Sequence, residues 1–166
     1  MANEAGQGCS ARANIDNDKT FVSYGAPASI GGSVSRLAAY IGNAAGAATF
    51  AFFTASGNNL TTVSGSQTAP LDYGATAECE AFNAPDDFTA FSVSSGNYLG
   101  CFATFAQNRS ISGGSGFWSL TGDYTNVNGQ AFTLDSDGID ALTADITAAG
   151  GLSIPIAMEY YGRRRR

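Results

Sequence analysis

Short apolar runs, each ended by glycine, asparagine, serine or proline, recur along the chain from about Thr20 onwards. The strongest is Tyr98–Phe105, which is apolar at most positions, whereas Leu60–Val63 alternates apolar and polar residues. Runs of this length and spacing predict about eight to ten strands joined by tight turns. We therefore expect an all-β fold, an antiparallel β-sandwich of jelly-roll type. Tyr98–Phe105 should lie at the centre of a sheet, because both its faces are apolar.

Two segments suit a helix as well as a strand. In residues 33–41 the apolar positions are spaced as in one helical turn or as in a strand. In residues 131–149 the same two patterns compete. Ile139, Leu142 and Ile146 would share one face of a helix, whereas Leu142 and Ile146 also fit the alternation of a strand. Because the flanking segments have strand character, we expect a strand in residues 131–149 and leave residues 33–41 open.

The composition divides the chain into three parts. Residues 1–20 are small and polar, and we expect an extended N-terminal arm. Residues 21–162 carry the apolar runs and form the sandwich domain, which is large enough to fold without a disulfide or a metal. Its last strand is expected at Leu152–Tyr161, where Pro155 indicates an edge position or a bulge. Residues 163–166 form a basic tail.

Charged residues make up 13% of the chain, against about 25% in an average domain. Residues 1–162 contain four basic and fourteen acidic residues, so the body of the protein is acidic. An acidic body makes nucleic acid an unlikely partner of the domain, since phosphates attract cations. A surface solvated mainly by hydroxyl and amide groups suits packing within an assembly, but an ordinary acidic soluble domain has the same composition.

The most basic feature is the run Arg163, Arg164, Arg165 and Arg166. Four adjacent guanidinium groups repel one another, so they stay solvated unless they meet anions. Nucleic acid, an anionic membrane surface and an acidic neighbouring subunit are the three candidate sources of anions. The acidic body of another copy is the nearest such surface. We therefore expect the run to contact a neighbouring subunit or another anionic partner, although an added tag sequence would look the same.

The chain contains no histidine. This excludes Ser-His-Asp and Cys-His nucleophilic systems and removes the commonest general base. Glu78 and Glu80 lie two residues apart on an expected strand, so both carboxylates leave the same face, about 7 Å apart, within the range of an inverting glycosidase. An exposed polar face is the commoner reason for such a pair. We expect no enzyme, no catalytic residue and no cofactor, and a small hydrolase that uses this pair is the weakest hypothesis.

Three cysteines, Cys9, Cys79 and Cys101, have none of the spacings of a zinc site. Cys79 and Cys101 both lie in expected strands and would be neighbours if those strands pair. Whether they form a disulfide stays open, and the odd count leaves at least one thiol free. We expect buried, reduced cysteines that pack as small hydrophobic side chains.

The acidic stretch Asp135–Asp140 is similar to a calcium-binding loop. An EF-hand loop needs glycine at its sixth position and glutamate at its twelfth, but here Gly138 is fourth and Ile146 is twelfth. Acidic turns beside glycine are common without any metal, because aspartate tolerates turn conformations. The run Asn14–Asp18 is a weaker case of the same kind. We expect no metal site in either stretch.

Trp118 and Tyr124 are the candidate glycan contacts, because flat aromatic rings stack on the apolar faces of sugars. Tyr73 and Tyr98 are further candidates for the same groove. Single aromatic residues in β domains more often belong to the core. A carbohydrate-binding module or adhesin, with a host-surface glycan as partner, is therefore the alternative function.

Neither a secretory signal nor a membrane span is expected. The first fourteen residues, MANEAGQGCSARAN, lack both a basic start and an apolar core. The most apolar stretch, Leu37–Thr54, is interrupted by glycine and asparagine and is too short and too polar to cross a bilayer. We therefore expect synthesis in a cytoplasm.

In DFTAFSVSSGNYLGCFATF, residues 87–105, a turn and an aromatic-rich strand precede a segment that is similar to the pattern V..GD.(I/L)G.Y. This arrangement resembles small jelly-roll domains of tailed-phage particles. The matching positions are Val93, Gly96, Asn97, Tyr98, Leu99 and Gly100. Asn97 replaces the usual acidic residue, and Cys101-Phe102 replaces the aromatic residue after the glycine. The following GFWSLTGDY, Gly116–Tyr124, is similar to the next element of the same domain.

The resemblance covers about half of the chain, and its motifs are turns and strands that bring no functional residues with them. It implies a bacteriophage virion protein such as a decoration, head-fibre or tail-appendage subunit. We therefore expect a structural virion protein, a capsid decoration or appendage subunit made in the host cytoplasm and located in the virion. Its expected partners are other copies of itself, as a homo-oligomer, and other virion proteins.

Overall fold

The computed structural model describes residues 4–42, 44–105 and 107–148, which form fifteen strands. No helix in these ranges is long and apolar enough to span a membrane. The strands are β1 (Asn14–Asp16), β2 (Lys19–Val22), β3 (Gly32–Ile41), β4 (Gly46–Ser56), β5 (Asn59–Thr62), β6 (Leu71–Tyr73), β7 (Glu78–Asn83), β8 (Ser92–Val93), β9 (Tyr98–Ala103), β10 (Gln107–Ser110), β11 (Phe117–Thr121), β12 (Gln130–Ala131), β13 (Thr133–Asp135), β14 (Ile139–Asp140) and β15 (Leu142–Ala148). The expected last strand, Leu152–Tyr161, and the run Arg163–Arg166 lie outside the described residues.

The larger sheet has eight strands, with β9 in its interior. Its order is β12-β5-β4-β9-β2-β11-β13, and β6 pairs with β4. β9 is antiparallel to both neighbours, so that Cys101 lies opposite Phe50 on β4 and Phe21 on β2. The central position predicted for Tyr98–Phe105 is confirmed over the residues of β9. Because β9 has partners on both edges and side chains packed on both faces, nearly all of its apolar surface is removed from water.

Two smaller sheets complete the described part of the chain. One has the order β15-β3-β7, with β8 also paired to β3, and the other has the order β1-β10-β14. Residues 33–41 and 142–148 are therefore strands, and the strand expected within 131–149 is confirmed. The helical alternative fails because β3 has antiparallel partners on both edges, with Leu37 opposite both Ala144 and Phe82.

The expected all-β antiparallel sandwich is confirmed. The described residues contain fifteen strands, more than the eight to ten that the sequence predicts. The difference comes from very short strands such as β8, β12 and β14, each of two residues. A strand of two residues has no alternation that a sequence pattern can detect.

The inner core lies between the large sheet and the β15-β3-β7 sheet. Phe50, Phe52 and Leu99 enter it from the large sheet, and Leu37 and Leu142 enter it from the smaller one. All five are fully buried. Alternate residues along a strand point to opposite faces, so the residues between them must find cover elsewhere.

The outer face of the large sheet carries a second apolar core. Val22, Phe53 and Trp118 point to this side and are buried. They are covered by residues from 124–134, among them Phe132. The second core explains why β9 and β4 are apolar at consecutive positions, because each of their faces meets a different core.

Gly100 marks a close approach within the second core. A Cβ atom added at this position would lie 2.5 Å from Cε1 of Phe53 and 2.9 Å from Cγ2 of Val22. Side chains in a packed interior have little room to yield at such distances. The glycine therefore lets two neighbouring strands carry large side chains over β9.

Within residues 1–20, the segment expected as an extended N-terminal arm, several residues contact the sheets. Ala5 forms an isolated β-bridge with Ala144, and the N–H of Gly8 donates to the carbonyl oxygen of Leu142 at 3.0 Å. The guanidinium of Arg12 donates to three carbonyl oxygens, those of Gln7, Gly8 and Asp140. These contacts use backbone groups, so a small, polar sequence gives no sign of them.

A disulfide joins Cys9 to Cys79, with 5.7 Å between their Cα atoms. Cys79 therefore does not pair with Cys101, which the sequence had left open. The expectation that the cysteines are reduced is wrong for Cys9 and Cys79 and holds for Cys101. Cys101 is free and fully buried in the inner core. The bond ties the N-terminal segment to β7 across a sequence separation of 70 residues.

Candidate functional site

Trp118, a predicted glycan contact, is a core residue. Its side chain is 1% exposed, and its Nε1–H donates to Oδ1 of Asn58 at 3.0 Å. Tyr24 and Tyr98 both pack edge-to-face on the indole, with ring centroids at 4.8 Å and 4.9 Å. A sugar therefore has no access to either face of this ring in the described conformation.

The other predicted aromatic contacts are also engaged in packing. Tyr124 is half-buried and packs on Phe132 at a centroid distance of 6.2 Å. Tyr73 is buried, and its hydroxyl donates to the carbonyl oxygen of Phe105 at 2.9 Å. Burial is also the main cause that raises the pKa of Tyr73. The sequence could not separate these roles, because aromatic side chains occupy cores and binding grooves alike.

Glu78 and Glu80 lie on the same face of β7, as predicted. They are opposite Ile41 and Ala39 of β3, so they point toward the side of the sheet that carries the inner core, at its outer strand. Burial, followed by the charge and a hydrogen bond of Glu78, raises the pKa of Glu80. Inward-pointing charge at a sheet edge discourages pairing with foreign strands.

The acidic stretch that is similar to a calcium loop is a hydrogen-bonded turn. Oδ1 of Asp135 accepts the N–H of Asp137 at 3.1 Å and that of Gly138 at 2.9 Å. In the weaker stretch, Asp16 forms a salt bridge with Arg109 at 2.6 Å. Across the described ranges, no three His, Cys, Asp or Glu side chains come together as a metal site would need.

Ser23 and Asp140 form a polar contact in the interior. Oγ of Ser23 donates to Oδ2 of Asp140 at 2.6 Å, and both side chains are fully buried. Burial is the largest influence on Asp140 and raises its pKa to about 6. Burial likewise raises the pKa of the Cys101 thiol well above its usual value. These groups face no solvent, so they hold the fold together and do not meet a substrate.

A groove of about 370 Å³ opens between loop 65–69 and loop 87–91. The first loop is held against β4 by two hydroxyl groups. Oγ of Ser66 accepts the N–H of Phe52, and Oγ1 of Thr68 accepts the N–H of Phe50, both at 3.0 Å. These bonds replace a partner strand along the part of β4 that lies between its pairings with β6 and β5. The first wall is therefore fixed.

The second wall of the groove is also fixed by hydrogen bonds. The N–H of Asp87 donates to the carbonyl oxygen of Asn83, and Oδ2 of Asp87 accepts the N–H of Asn83, both at 2.8 Å. The carbonyl oxygen of Phe91 accepts the N–H of Val34 at 2.9 Å. Two rigid walls make a preformed site, in which binding a ligand requires little ordering of the protein.

The groove combines an aromatic base with polar sides. Phe88, 7% exposed, and the partly buried Phe91 lie at 6.0 Å from each other, and Phe91 packs in turn on Phe52 of the inner core. The exposed polar lining includes Gln67 and Thr89. The sequence did not predict this site, because its walls are about twenty residues apart in the chain and neither carries a motif.

No protein-family model matches the chain, and no curated protein or solved structure is significantly similar to it. The function is therefore inferred from the residues and their arrangement in this fold.

Proposed function

We propose that this chain is a structural, non-enzymatic subunit of a virus particle, a capsid decoration or appendage protein. It assembles through contacts with its own copies and with other virion proteins. The observation that carries the assembly role is the distribution of charge between the folded body and Arg163–Arg166. The virion setting is supported by the resemblance of residues 87–105 to phage jelly-roll domains.

The folded body is acidic and has few cations to balance it. Within the described ranges there are thirteen acidic and four basic residues. Arg12 is occupied by three backbone carbonyl oxygens, and Arg109 by Asp16. Of the remaining two, Arg36 lies directly opposite Asp145 on the neighbouring strand. Most of the negative charge thus has no cation within the described body.

The four consecutive arginines supply positive charge that can balance the acidic body of another copy. Guanidinium groups form paired hydrogen bonds with carboxylates, which gives such contacts direction as well as attraction. An acidic body and an arginine run on the same chain make copies of it complementary to one another. Complementary patches of this kind produce head-to-tail contacts, which close into rings or continue as filaments.

Exposed apolar side chains supply a second component for contact between copies. Ile15 on β1 is 48% exposed, and Ile111, just after β10, is 64% exposed. β1 and β10 are paired neighbours, so Ile15 lies within the small third sheet and Ile111 directly follows one of its strands. Burying them against another copy would add hydrophobic stabilisation to the charge contacts.

The proposed absence of catalysis is supported by the state of the reactive groups. The sequence has no histidine. The Ser23 hydroxyl and the Cys101 thiol are both fully buried, and burial together with the neighbouring Glu78 raises the pKa of Glu80. A fully buried hydroxyl or thiol cannot reach a substrate as a nucleophile.

The mass of the full chain in solution tests the assembly role. We expect an oligomer at micromolar concentration that dissociates when all four of Arg163–Arg166 are replaced by serine. The matched control replaces the same four by lysine, which keeps the charge and should keep the oligomer. Raising the salt concentration should weaken the oligomer as it screens the charges. A chain that is monomeric at every concentration and salt would refute the assembly role.

Mass spectrometry of purified virus particles tests the virion setting separately. The chain should be present at a fixed number of copies per particle after washing. An oligomer in solution together with its consistent absence from particles would leave the assembly role intact and refute the virion setting.

A further inference from the structure

We infer that the groove between loop 65–69 and loop 87–91 binds a neutral saccharide. This inference goes beyond the proposed assembly role. The observation that carries it is that one preformed groove combines partly exposed aromatic surface with polar groups, of which one is a carboxylate.

The lining disfavours anionic ligands and wholly apolar ligands. None of the groove's lining residues is lysine or arginine, and Asp87 is the one charged residue among them. A phosphate, sulfate or carboxylate ligand would meet an uncompensated negative charge. A wholly apolar ligand would cover the Asp87 carboxylate and the Gln67 amide without replacing their hydrogen bonds to water.

The polar groups of the groove match the hydroxyl groups of a sugar. Oδ2 of Asp87 already accepts the N–H of Asn83, and Nε2 of Gln67 already donates to Oγ1 of Thr125 at 3.0 Å. Each side chain therefore still offers a carbonyl-type oxygen as an acceptor. The Thr89 hydroxyl is exposed and both donates and accepts. Sugar hydroxyl groups also do both, so they fit a lining of acceptors and hydroxyls.

The aromatic rings at the base of the groove would contact the apolar C–H face of a sugar. The partly buried ring of Phe91 lies between Phe88 and Phe52, which hold it in place at centroid distances of 6.0 Å. A fixed ring at the bottom of a polar groove suits a pyranose ring, which has an apolar C–H face and polar edges. The volume of about 370 Å³ is at the low end of ligand sites, which suits one or two sugar rings rather than a long chain.

NMR titration of the full chain tests the inference. The probes are neutral saccharides, namely glucose, galactose, mannose, N-acetylglucosamine and the disaccharides lactose and cellobiose. Two further arms use a sulfated heparin disaccharide and a lysine-rich peptide. At least one neutral saccharide should shift the amide signals of residues 65–69 and 87–91 in a saturable way.

Three variants locate the binding. Thr89→Trp fills the groove from an exposed position and should weaken binding at least tenfold. Thr133→Trp makes the same change at an exposed position on β13, at the opposite end of the large sheet from β5 and β12, and should leave binding within twofold. Asp87→Asn keeps the shape of the loop, but it should weaken binding about tenfold because the charge-assisted hydrogen bond is lost.

Two kinds of result would overturn the inference. One is that no neutral saccharide shifts these amides, or that only the heparin disaccharide or the peptide does so. The other is saccharide binding that Thr89→Trp leaves unchanged, which would place the sugar elsewhere on the molecule.

Discussion

Replacing Asp140 by asparagine should remove a pH dependence of stability that this one buried carboxyl group creates. Asp140 is fully buried, and burial raises its pKa to about 6. Hydrogen bonds from Ser23 and from the N–H groups of Leu142 and Gln7, together with the charge of Arg12, act in the opposite direction but do not compensate. The folded protein therefore binds a proton at Asp140 more tightly than the unfolded chain does.

The sign and size of the effect follow from the two pKa values. The pKa of the Asp140 carboxyl group is 3.8 in the unfolded chain and about 6 in the folded protein. Below the lower value both states hold the proton, and the stabilisation is fully present. As the pH rises through the window from about 4 to about 6, the unfolded chain loses the proton first, so the free energy of unfolding falls. The total loss is about 3 kcal/mol, at about 1.4 kcal/mol per pKa unit.

Urea denaturation at steps between pH 4 and pH 7.5 measures this effect. The free energy of unfolding is compared between the wild-type chain and Asp140→Asn, so that contributions shared by the other carboxyl groups cancel. The difference, wild type minus variant, should fall by about 3 kcal/mol across the window and stay constant above it. A difference that is independent of pH, or that rises with pH, would refute the reasoning about burial.

Three further predictions concern stability. Cys9→Ser should lower the free energy of unfolding by about 4 kcal/mol, because a bond across 70 residues restricts the unfolded chain, and the wild type with reductant should match it. Gly100→Ala should lower the free energy of unfolding by about 1–3 kcal/mol, because the added methyl group overpacks the second core. Gly74→Ala, where an added Cβ meets nothing within 4 Å, is its control and should cost far less. Trp118→Ala should lower the free energy of unfolding by about 3–5 kcal/mol, because the tryptophan side chain is a buried aromatic. Removing an exposed ligand-binding ring would lower it far less. Urea titrations followed by circular dichroism check all three, and equal costs for the two glycine variants or a Trp118→Ala cost near zero would contradict them.

The all-β class and the central position of β9 follow directly from local sequence. Tyr98–Ala103 is apolar at consecutive positions, and this requires cover on both faces wherever the strand lies. The short strands, in contrast, are set by their partners. In β8, for example, Ser92 pairs with Ser33 and Val93 pairs with Gly32. No pattern within two residues specifies such a pairing.

The functional features depend on contacts between distant parts of the chain. The Cys9–Cys79 bond joins residues in a polar segment and an edge strand, and the two walls of the groove meet only in the fold. The role of Trp118 is decided in the same way. Its burial depends on residues 124–134 crossing the outer face of the large sheet, which the residues around Trp118 do not specify.

Acrylamide quenching of the fluorescence of Trp118, the single tryptophan of the chain, most directly tests whether the large sheet is covered on both faces. A ring that is 1% exposed should emit at short wavelength and resist quenching in the native protein, and quenching should increase several-fold in urea. Native quenching as strong as that of the unfolded chain would show that the outer face is open. Trp118 would then return as a candidate sugar contact.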